Sequence, residues 1–380
     1  MNEVRGNMRQ SKISSGRIAM AATAAGGLLL ATAACGLAGG DTPPAAGATS
    51  PAGSPPPAAP PSPTEPAKEP IVLAFGGDTH FHEYLRARLQ KPETALGPSA
   101  KILRRADLAM VNLETAITEG GTKAPKTYAF RAPASAFAAL RAAGVDVTSM
   151  ANNHGMDYGV SGLRDSLAAA KKAKFPTLGI GMNAAEAYKP YRVTVKGNKI
   201  AIVGATQVLD DHLIQEWTAT DTKPGLASAK DVPRMVQAVK EAAKGSDLVI
   251  VHVHWGQELN PCPLPRQKTL AQELTAAGAD IIVGGHAHIP LGGGYMENGA
   301  YIHYGMGNFV FSSARGQSAR SGILALKVED GKVTTDKWMP VRIESGIPIP
   351  LKGSAAKAEV KRWNDLRECT GLNAEPVAAP

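Results

Sequence analysis

Cysteine is scarce in this chain of 380 residues, which contains three. None of them has the Cys-X-X-Cys or Cys/His spacing of a closed zinc site, which argues against a zinc finger or ribbon. Cys35 follows an N-terminal apolar segment. Cys262 and Cys369 lie far apart from each other in the last third of the chain. Two thiols in an oxidising compartment commonly pair, so a Cys262–Cys369 bridge is expected, with two unrelated thiols as the alternative.

The chain also lacks a concentrated run of positive charge. Its net charge is +8, and residues 1–34 carry four Arg or Lys and one Glu, so +5 remains after them. Because no arginine-rich or aromatic-interleaved basic stripe is present, no nucleic acid partner is expected, only a mild attraction to anionic polymers. A Walker-type Gly-Lys-Ser/Thr is absent as well, so this chain alone is not expected to synthesise a polymer.

No apolar stretch is long enough for a permanent membrane span. The apolar segment at residues 18–34 is short, rich in Ala and Gly, and preceded by basic residues, which is the layout of a secretory signal. Thr32-Ala-Ala-Cys35 resembles the cleavage box of a bacterial lipoprotein. We therefore expect a signal peptide over 1–34 and a lipid on Cys35 that anchors the protein outside the cytoplasm, with an ordinary secreted protein as the alternative. Residues 35–70, rich in Pro and Ala, predict a disordered tether.

Strands and helices alternate in the rest of the chain. Continuous apolar runs, typical of strands buried on both faces, are Ile71–Phe75, Leu108–Val111, Val145–Ser149, Leu248–His252 and Asp280–Gly284. Helices are predicted over about 133–143, 160–173, 231–244 and 266–277. Two hairpins, turning at Gly197-Asn198 and Asp330-Gly331, add antiparallel strands. This pattern predicts two mixed sheets in one α/β domain over 71–365, followed by a C-terminal tail over 366–380.

Histidines, acids and amides follow each of the five apolar runs. In chain order they are Asp78 and His80, Glu114, Asn153 and His154, His254, and His286 and His288. Because ligands of open α/β sheets bind at the carboxyl ends of the strands, we expect these side chains to meet in one site. Imidazole mixed with carboxylate suits Zn, Fe or Mn. Two cations need a bridging carboxylate and about three further ligands each, so the set predicts two divalent metal ions.

Several of these residues also have a purely structural interpretation. His80 lies at the start of a predicted helix, where polar capping is common. Asn153 and His154 could satisfy backbone amides of a tight turn. His252 and His254 share one strand face, and His254 is preferred as a ligand because it precedes a Trp-Gly turn.

The order of the motifs resembles that of the metallophosphoesterase (calcineurin-like) superfamily: Asp78-x-His80, Asn153-His154, His254 and Gly285-His286-x-His288. More specifically, four segments resemble the CapA family, which is associated with poly-γ-glutamate capsule synthesis: Asn112-Leu-Glu114, Ala151 to Gly159, His254-Trp-Gly-x-Glu258 and Tyr304 to Phe311. The resemblance runs from about residue 71 to 311. It implies a four-layer α/β/β/α sandwich with two mixed sheets.

The resemblance also implies a role for each site residue. One metal would be held by Asp78, His80 and His288, and the other by Asn153, His254 and His286. Glu114 would bridge the two, standing where phosphoesterases usually have an Asp. His154 would be the general acid or stabilise charge on the leaving oxygen, with Asp157 orienting its imidazole. From the residues themselves we expect Asn308 and Glu258 to bind the substrate, and Glu258 also to accept a hydrogen bond from an imidazole.

These implications predict a surface-anchored protein of poly-γ-glutamate synthesis or export with a metal-dependent, hydrolase-like site. Its expected partners are the anionic polymer and a membrane complex of capsule synthesis. Two alternatives stay open, a secreted metal-dependent phosphoesterase and a non-catalytic, polymer-binding scaffold subunit.

Overall fold

The structure, a computed structural model, describes residues 67–377. The predicted signal peptide, Cys35 and nearly all of the predicted tether lie outside the described residues. Within residues 67–377, no helix combines the length and the apolar character needed to cross a membrane.

The strands of this part of the chain are β1 (Ile71–Thr79), β2 (Leu108–Leu113), β3 (Ala116–Ile117), β4 (Arg131–Ala132), β5 (Val147–Ser149), β6 (Thr177–Leu178), β7 (Ile180–Gly181), β8 (Tyr191–Val195), β9 (Asn198–Thr206), β10 (Gly225–Leu226), β11 (Leu248–His254), β12 (Ile281–Gly285), β13 (Gly293–Tyr295), β14 (Tyr301–His303), β15 (Asn308–Val310), β16 (Arg320–Glu329), β17 (Lys332–Glu344) and β18 (Ile347–Pro350). All five apolar runs predicted as strands form strands.

The α-helices are α1 (Ala100–Leu103), α2 (Ser135–Ala142), α3 (Gly159–Ala173), α4 (Ala184–Ala187), α5 (Ile214–Trp217), α6 (Val232–Ala243), α7 (Pro265–Ala276) and α8 (Gly353–Asp365). Short 3-10 helices span Glu83–Gln90, Pro92–Thr94, Gly97–Ser99, Asp211–Leu213, Gly316–Ala319 and Leu366–Cys369. The four predicted helices are α2, α3, α6 and α7.

Local sequence accounts for the helix ends, as α6 shows. The Asp231 side chain accepts a hydrogen bond from the backbone N–H of Arg234 and so caps the first turn. Met235, Val239 and Ala242 recur at helical spacing and are buried. This apolar stripe holds the helix against a sheet.

Most of the strands form two mixed sheets, and two small sheets pair β3 with β4 and β7 with β10. The first mixed sheet has the order β18-β17-β16-β1-β2-β5-β6, with β15 also paired to β1. Its β1, β2, β5 and β6 run parallel, whereas β16, β17 and β18 are antiparallel additions. The second has the order β13-β14-β12-β11-β9-β8, parallel in its centre and antiparallel at both edges. The prediction of two mixed sheets is confirmed.

The two sheets pack face to face between layers of helices. Met110 of β2 and Ile250 of β11 face the core between the sheets. Their neighbours point the other way, since side chains alternate along a strand: Val111 packs with α2 and α3, and Val251 with α6 and α7. Burial on both faces explains the uninterrupted apolar runs, and the four-layer α/β/β/α sandwich is confirmed.

One of the two predicted hairpin turns is displaced by a residue. Asp330 and Gly331 form their turn with positive φ values of 49° and 74°, as predicted. In the other hairpin the turn is Lys196-Gly197, because Asn198 already pairs with Val195. The Asn198 amide donates to three backbone carbonyl oxygens, including that of Glu69 at 2.8 Å, which holds it in the strand.

The C-terminal segment is tied to the second sheet. Cys262 and Cys369 form the expected disulfide, with their Cα atoms 5.7 Å apart. Beyond it, Asn373 and Tyr295 exchange two backbone hydrogen bonds of 2.9 and 2.8 Å at the edge strand β13. Residues 366–373 of the predicted tail are therefore paired with the rest of the protein.

Candidate metal centre

Strand β1 changes its neighbour just before it reaches the centre. Up to Phe75 it pairs with β16, and from Asp78 onward it pairs with β15, beginning at Asn308. Gly76 and Gly77 occupy the break between the two pairings. A Cβ on Gly77 would lie 1.8 Å from the carbonyl oxygen of residue 307, so this close approach requires glycine. The break brings Asp78 beside Asn308.

A buried hydrogen-bond network joins the ends of β1, β2 and β11. The Asn112 side chain donates to Asp78 Oδ1 at 2.9 Å and lies 3.2 Å from His254 Nδ1. Its own oxygen accepts from Asn152 at 3.0 Å. The second oxygen of Asp78 accepts the backbone N–H of His286 at 3.0 Å. These bonds fix the Asp78 carboxylate at the carboxyl ends of three strands.

The turn after β12 adopts an unusual backbone conformation. His286 and His288 have φ values of 91° and 57°, in the region that favours glycine. Such strain costs on the order of 1–3 kcal/mol per residue and is concentrated at functional sites. The preceding Gly285 makes room for it, because a Cβ there would lie 2.7 Å from Asp78 Oδ1.

The centre consists of three overlapping groups, in each of which the potential ligand atoms lie within 4.8 Å of one another: Glu114, His254 and His286; Asp78, Glu114 and His288; Glu258, His286 and His288. Glu114 is shared by the first and second groups, His286 by the first and third, and His288 by the second and third. The strand ends therefore converge, with Glu114 between two sets of donors.

Glu114 is the feature that best fits a cation. Its carboxylate is fully buried, and neither of its oxygens has a hydrogen-bond partner. His254 Nε2 lies 3.5 Å and His154 Nε2 3.9 Å from Glu114 Oε1. Burial, and then the charge of Asp78, raise the Glu114 pKa well above its ordinary value. An unpaired buried carboxylate is costly, and a bound cation would remove that cost.

The protonation state of the imidazoles also suits a bound cation. Burial lowers the pKa of His254 to about 4 and that of His286 well below its ordinary value. Both are therefore neutral at pH 7, which is the state that binds metals. For His288, burial lowers the pKa, but the charges of Glu114, Asp78 and Glu258 together raise it above the ordinary value. Negative charge thus dominates around His288.

His154 is held by a second buried carboxylate. Its Nδ1 lies 2.6 Å from Asp157 Oδ2, which also accepts the backbone N–H of Phe130 at 2.6 Å. Lys126 forms an ion pair with the other Asp157 oxygen at 3.0 Å. Burial raises the Asp157 pKa to about 7, against the opposing charge of Lys126. These contacts leave His154 Nε2 on the side of Glu114, so Asp157 has the geometry of an orienting acceptor.

Of the remaining predicted residues, Asn153 and Asn308 contact members of these groups, and Glu258 belongs to the third group. Asn153 Oδ1 is 2.8 Å from His254 Nε2, and Asn308 Oδ1 is 2.8 Å from His288 Nδ1. Glu258 is exposed at the opening of the centre. It reaches the ligand atoms of His286 and His288.

His80 is placed differently from the other predicted ligands and belongs to none of the three groups. Its ring packs against Phe130 and Phe311, with centroid distances of 4.7 and 4.3 Å. Its two ring nitrogens lie 3.1 and 3.3 Å from the backbone amides of His82 and Ser312. The structure thus surrounds His80 with aromatic rings and backbone rather than with carboxylates.

Three residues at the centre were not among the predicted site residues. Asn112 had a signal, since it is an amide inside an otherwise apolar buried strand. Phe130, whose ring stacks on His154 at 4.1 Å, and Lys126, whose side chain is 5% exposed, lie in a loop without periodic pattern. No local signal in the sequence marks these two.

Comparisons with known proteins agree on the family. A family model described as bacterial capsule synthesis protein PGA_cap matches residues 72–313. The capsule biosynthesis protein CapA of Bacillus anthracis is 33% identical over 243 residues, which cover 63% of this chain and 58% of that protein. The PGA biosynthesis protein CapA of Bacillus subtilis is 32% identical over 274 residues, covering 71% of this chain and 69% of that protein. The chain thus spans less than two thirds of the first relative.

Among solved structures, a 5'-nucleotidase from Candida albicans is similar with a TM-score of 0.44 and 12% identity. The similarity covers 78% of this chain and 58% of that chain.

Proposed function

Since this chain belongs to the bacterial capsule synthesis protein family PGA_cap, we propose that it serves the synthesis or export of poly-γ-glutamate at the cell surface, through a hydrolase-like centre for two divalent metal ions. The proposed ions are Mn, Fe or Zn, which suit a mixture of imidazole and carboxylate ligands. The proposed partners are the polymer itself and a membrane complex of capsule synthesis.

One observation carries the proposal of a metal centre. The Glu114 carboxylate is fully buried, lacks hydrogen-bond partners, and is shared by two groups of potential ligands. One group adds His254 and His286, and the other adds Asp78 and His288. A carboxylate shared in this way is what two neighbouring cations need between them.

Each part of the centre would have a separate task. The strand ends would hold the ions, and bound ions would supply Lewis acidity to a polar bond of the substrate. His154, held by Asp157 at 2.6 Å, would move a proton through Nε2, the ring nitrogen that faces Glu114. Burial lowers the His154 pKa, so the ring is neutral at pH 7 and would first accept a proton.

The position of the protein in the cell is also a proposal. It is supported by the signal-like segment before Cys35 and by the Pro- and Ala-rich residues that follow. A lipid on Cys35 would anchor the protein outside the cytoplasm. Labelling cells with a fatty-acid analogue should mark the wild type and not Cys35→Ser, whereas equal labelling would exclude this anchor.

Metal analysis tests the centre directly. The purified wild type should contain nearly two divalent ions per chain, and Glu114→Gln should lose most of them, because the amide keeps the shape but removes the charge. The matched control is Glu297→Gln, since Glu297 is exposed and contacts Asn373 at 2.9 Å on the surface. Normal metal content in Glu114→Gln would exclude the bridging role.

Activity assays then separate the candidate functions. Binding or shortening of γ-linked glutamate polymer by the metal-loaded protein would support the proposal. Turnover of an aryl phosphate without any effect on the polymer would favour a phosphoesterase. Polymer binding by a protein that takes up no metal would favour a scaffold subunit.

A further inference from the structure

A cavity lies between β16, β17 and α8. Its volume is about 130 Å³. One wall contains Ile289 and Pro290, which directly follow His288 in the chain. Another contains Gln317, whose next residue accepts a hydrogen bond from the Asn308 side chain at 3.1 Å. The segments that carry and brace the His288 imidazole therefore also line this cavity.

Two tryptophans form a large part of the apolar lining of the cavity. The rings of Trp338 and Trp363 are parallel within 3°, with centroids 5.5 Å apart. Trp363 donates its indole N–H to His303 at 2.9 Å, which fixes the ring. Trp338 lies flat on β16 because residue 322 is glycine: a Cβ there would lie 2.2 Å from the indole. These contacts make the apolar wall rigid.

The polar part of the cavity carries a surplus of positive charge. Arg320 and Arg362 both line it, and they share one carboxylate, that of Glu359. The Arg320 Nε lies 3.3 Å and the Arg362 Nε 3.6 Å from different Glu359 oxygens. Each guanidinium has five N–H donors, so several remain for an anion.

Ser321 supplies a second and independent indication of a ligand. Its side chain lines the cavity, is 3% exposed, and its hydroxyl has no hydrogen-bond partner. Buried hydroxyl groups are normally hydrogen-bonded, because leaving one unpaired destabilises the folded protein. A ligand oxygen in the cavity would satisfy it.

Size and chemistry restrict the occupant. A cavity of about 150 Å³ holds a molecule of the size of benzene. The cavity between β16, β17 and α8 therefore has room for one small group and not for a longer stretch of polymer. Paired guanidinium groups select a carboxylate, and the indole wall selects methylene groups beside it. A γ-linked glutamyl unit offers both, a free α-carboxylate and two methylenes.

We propose that this cavity is a subsite for one glutamyl unit of a γ-linked polymer, with its carboxylate on Arg320 and Arg362 and a hydrogen bond to Ser321. The identity of the polymer rests on the proposed function. The subsite itself rests on the cavity and its side chains. A chain held there would extend along residues 289 and 290 towards His288 and the metal centre.

Calorimetric titration with a γ-linked glutamate tetramer tests the subsite in the full chain. Arg320→Gln and Arg362→Gln should each weaken binding by roughly tenfold or more, because each removes a charge-assisted hydrogen bond. Ser321→Ala should weaken it about threefold to tenfold. Arg362 is largely solvent-exposed, so its variant is expected to fold normally.

Lys361→Gln is the matched control. Lys361 is the neighbour of Arg362 on α8, is exposed, and pairs with Asp365 at 2.9 Å rather than lining the cavity. Its replacement should leave the affinity unchanged.

The possible outcomes distinguish the subsite from the proposed function. Equal affinity of the wild type and both arginine variants would overturn the subsite, and so would no binding of the tetramer by the wild type. Arginine-dependent binding in a protein that contains no metal would support the subsite and contradict the metal centre.

Discussion

Two buried regions within residues 67–377, the candidate metal centre and an aromatic cluster, each contain histidine but differ in what surrounds the imidazole ring. The metal centre holds His254, whose pKa burial lowers to about 4, and the aromatic cluster of His303, Trp338 and Trp363 holds a histidine whose pKa burial lowers to about 3. His254 lies 3.5 Å from the Glu114 carboxylate, however, whereas His303 accepts a hydrogen bond from Trp363 and stacks on Trp338 at 5.3 Å. Burial and a lowered pKa therefore do not distinguish the two histidines, whereas a buried carboxylate beside the ring does.

Removing one histidine from each region should give the largest difference in metal content. His286→Ala should abolish metal binding almost completely, because it removes a member of two ligand groups. His303→Gln should leave the metal content unchanged, although it destabilises the fold. Inductively coupled plasma mass spectrometry of both purified variants measures the difference in metal content. Equal metal content in the two variants would contradict the distinction between the clusters.

Removing the disulfide should lower the stability of the fold and leave the metal content unchanged. Cys262 and Cys369 enclose a loop of 107 residues, so replacing both by serine should lower the free energy of unfolding by about 4 kcal/mol. Urea denaturation of the oxidised wild type and the double variant measures this loss. The metal content should be retained in the variant; its disappearance would show that the centre depends on the C-terminal segment.

Lowering the pH should destabilise the fold through protonation of His303 in the aromatic cluster. Its pKa of about 3 in the folded protein is below the ordinary value of 6.5, so the unfolded chain binds the proton first. The contribution of neutral His303 to the free energy of unfolding is therefore fully present above pH 6.5 and is lost as the pH falls towards 3. At pH 5 the loss is on the order of 2 kcal/mol. The gap in unfolding free energy between wild type and His303→Gln should therefore narrow from pH 7 to pH 5. A constant gap would contradict the assignment.

The smallest expected effect concerns a residue that orients a ligand of the metal centre. Asn308→Ala removes the contact of 2.8 Å to His288 Nδ1 and should weaken metal affinity roughly tenfold without abolishing binding. Competition with a chelator measures the affinity. Asn298→Ala is the control, because Asn298 lies in an exposed turn and contacts only the backbone of residue 300 at 3.1 Å. Similar affinities of the two variants would exclude the orienting role.

Much of the fold and of the centre follows from patterns along the chain. The apolar runs at Ile71 and Leu248 predict strands buried on both faces, and both strands lie between helices and the opposite sheet. Parallel neighbours end at the same rim, so acids and histidines placed after successive strands converge there. Asp78, Glu114 and His286 illustrate this.

Other features depended on contacts between distant segments. The sequence around Gly77 does not indicate that β1 exchanges β16 for β15 there, because β15 lies more than two hundred residues away along the chain. The aromatic surroundings of His80 come from Phe130 and Phe311, which belong to separate loops. Lys126 reaches Asp157 from a loop without a periodic pattern.

The amino-acid sequence was enough to predict the buried strands, the polar residues at their carboxyl ends and the chemistry of these potential ligands, since apolar periodicity and residue type are local properties. The folded structure adds which of these potential ligand atoms come within 4.8 Å of one another and which histidine is enclosed by aromatic rings. Both depend on side-chain distances of 3–5 Å across strands, and such distances are set by strand register, backbone turns and packing together.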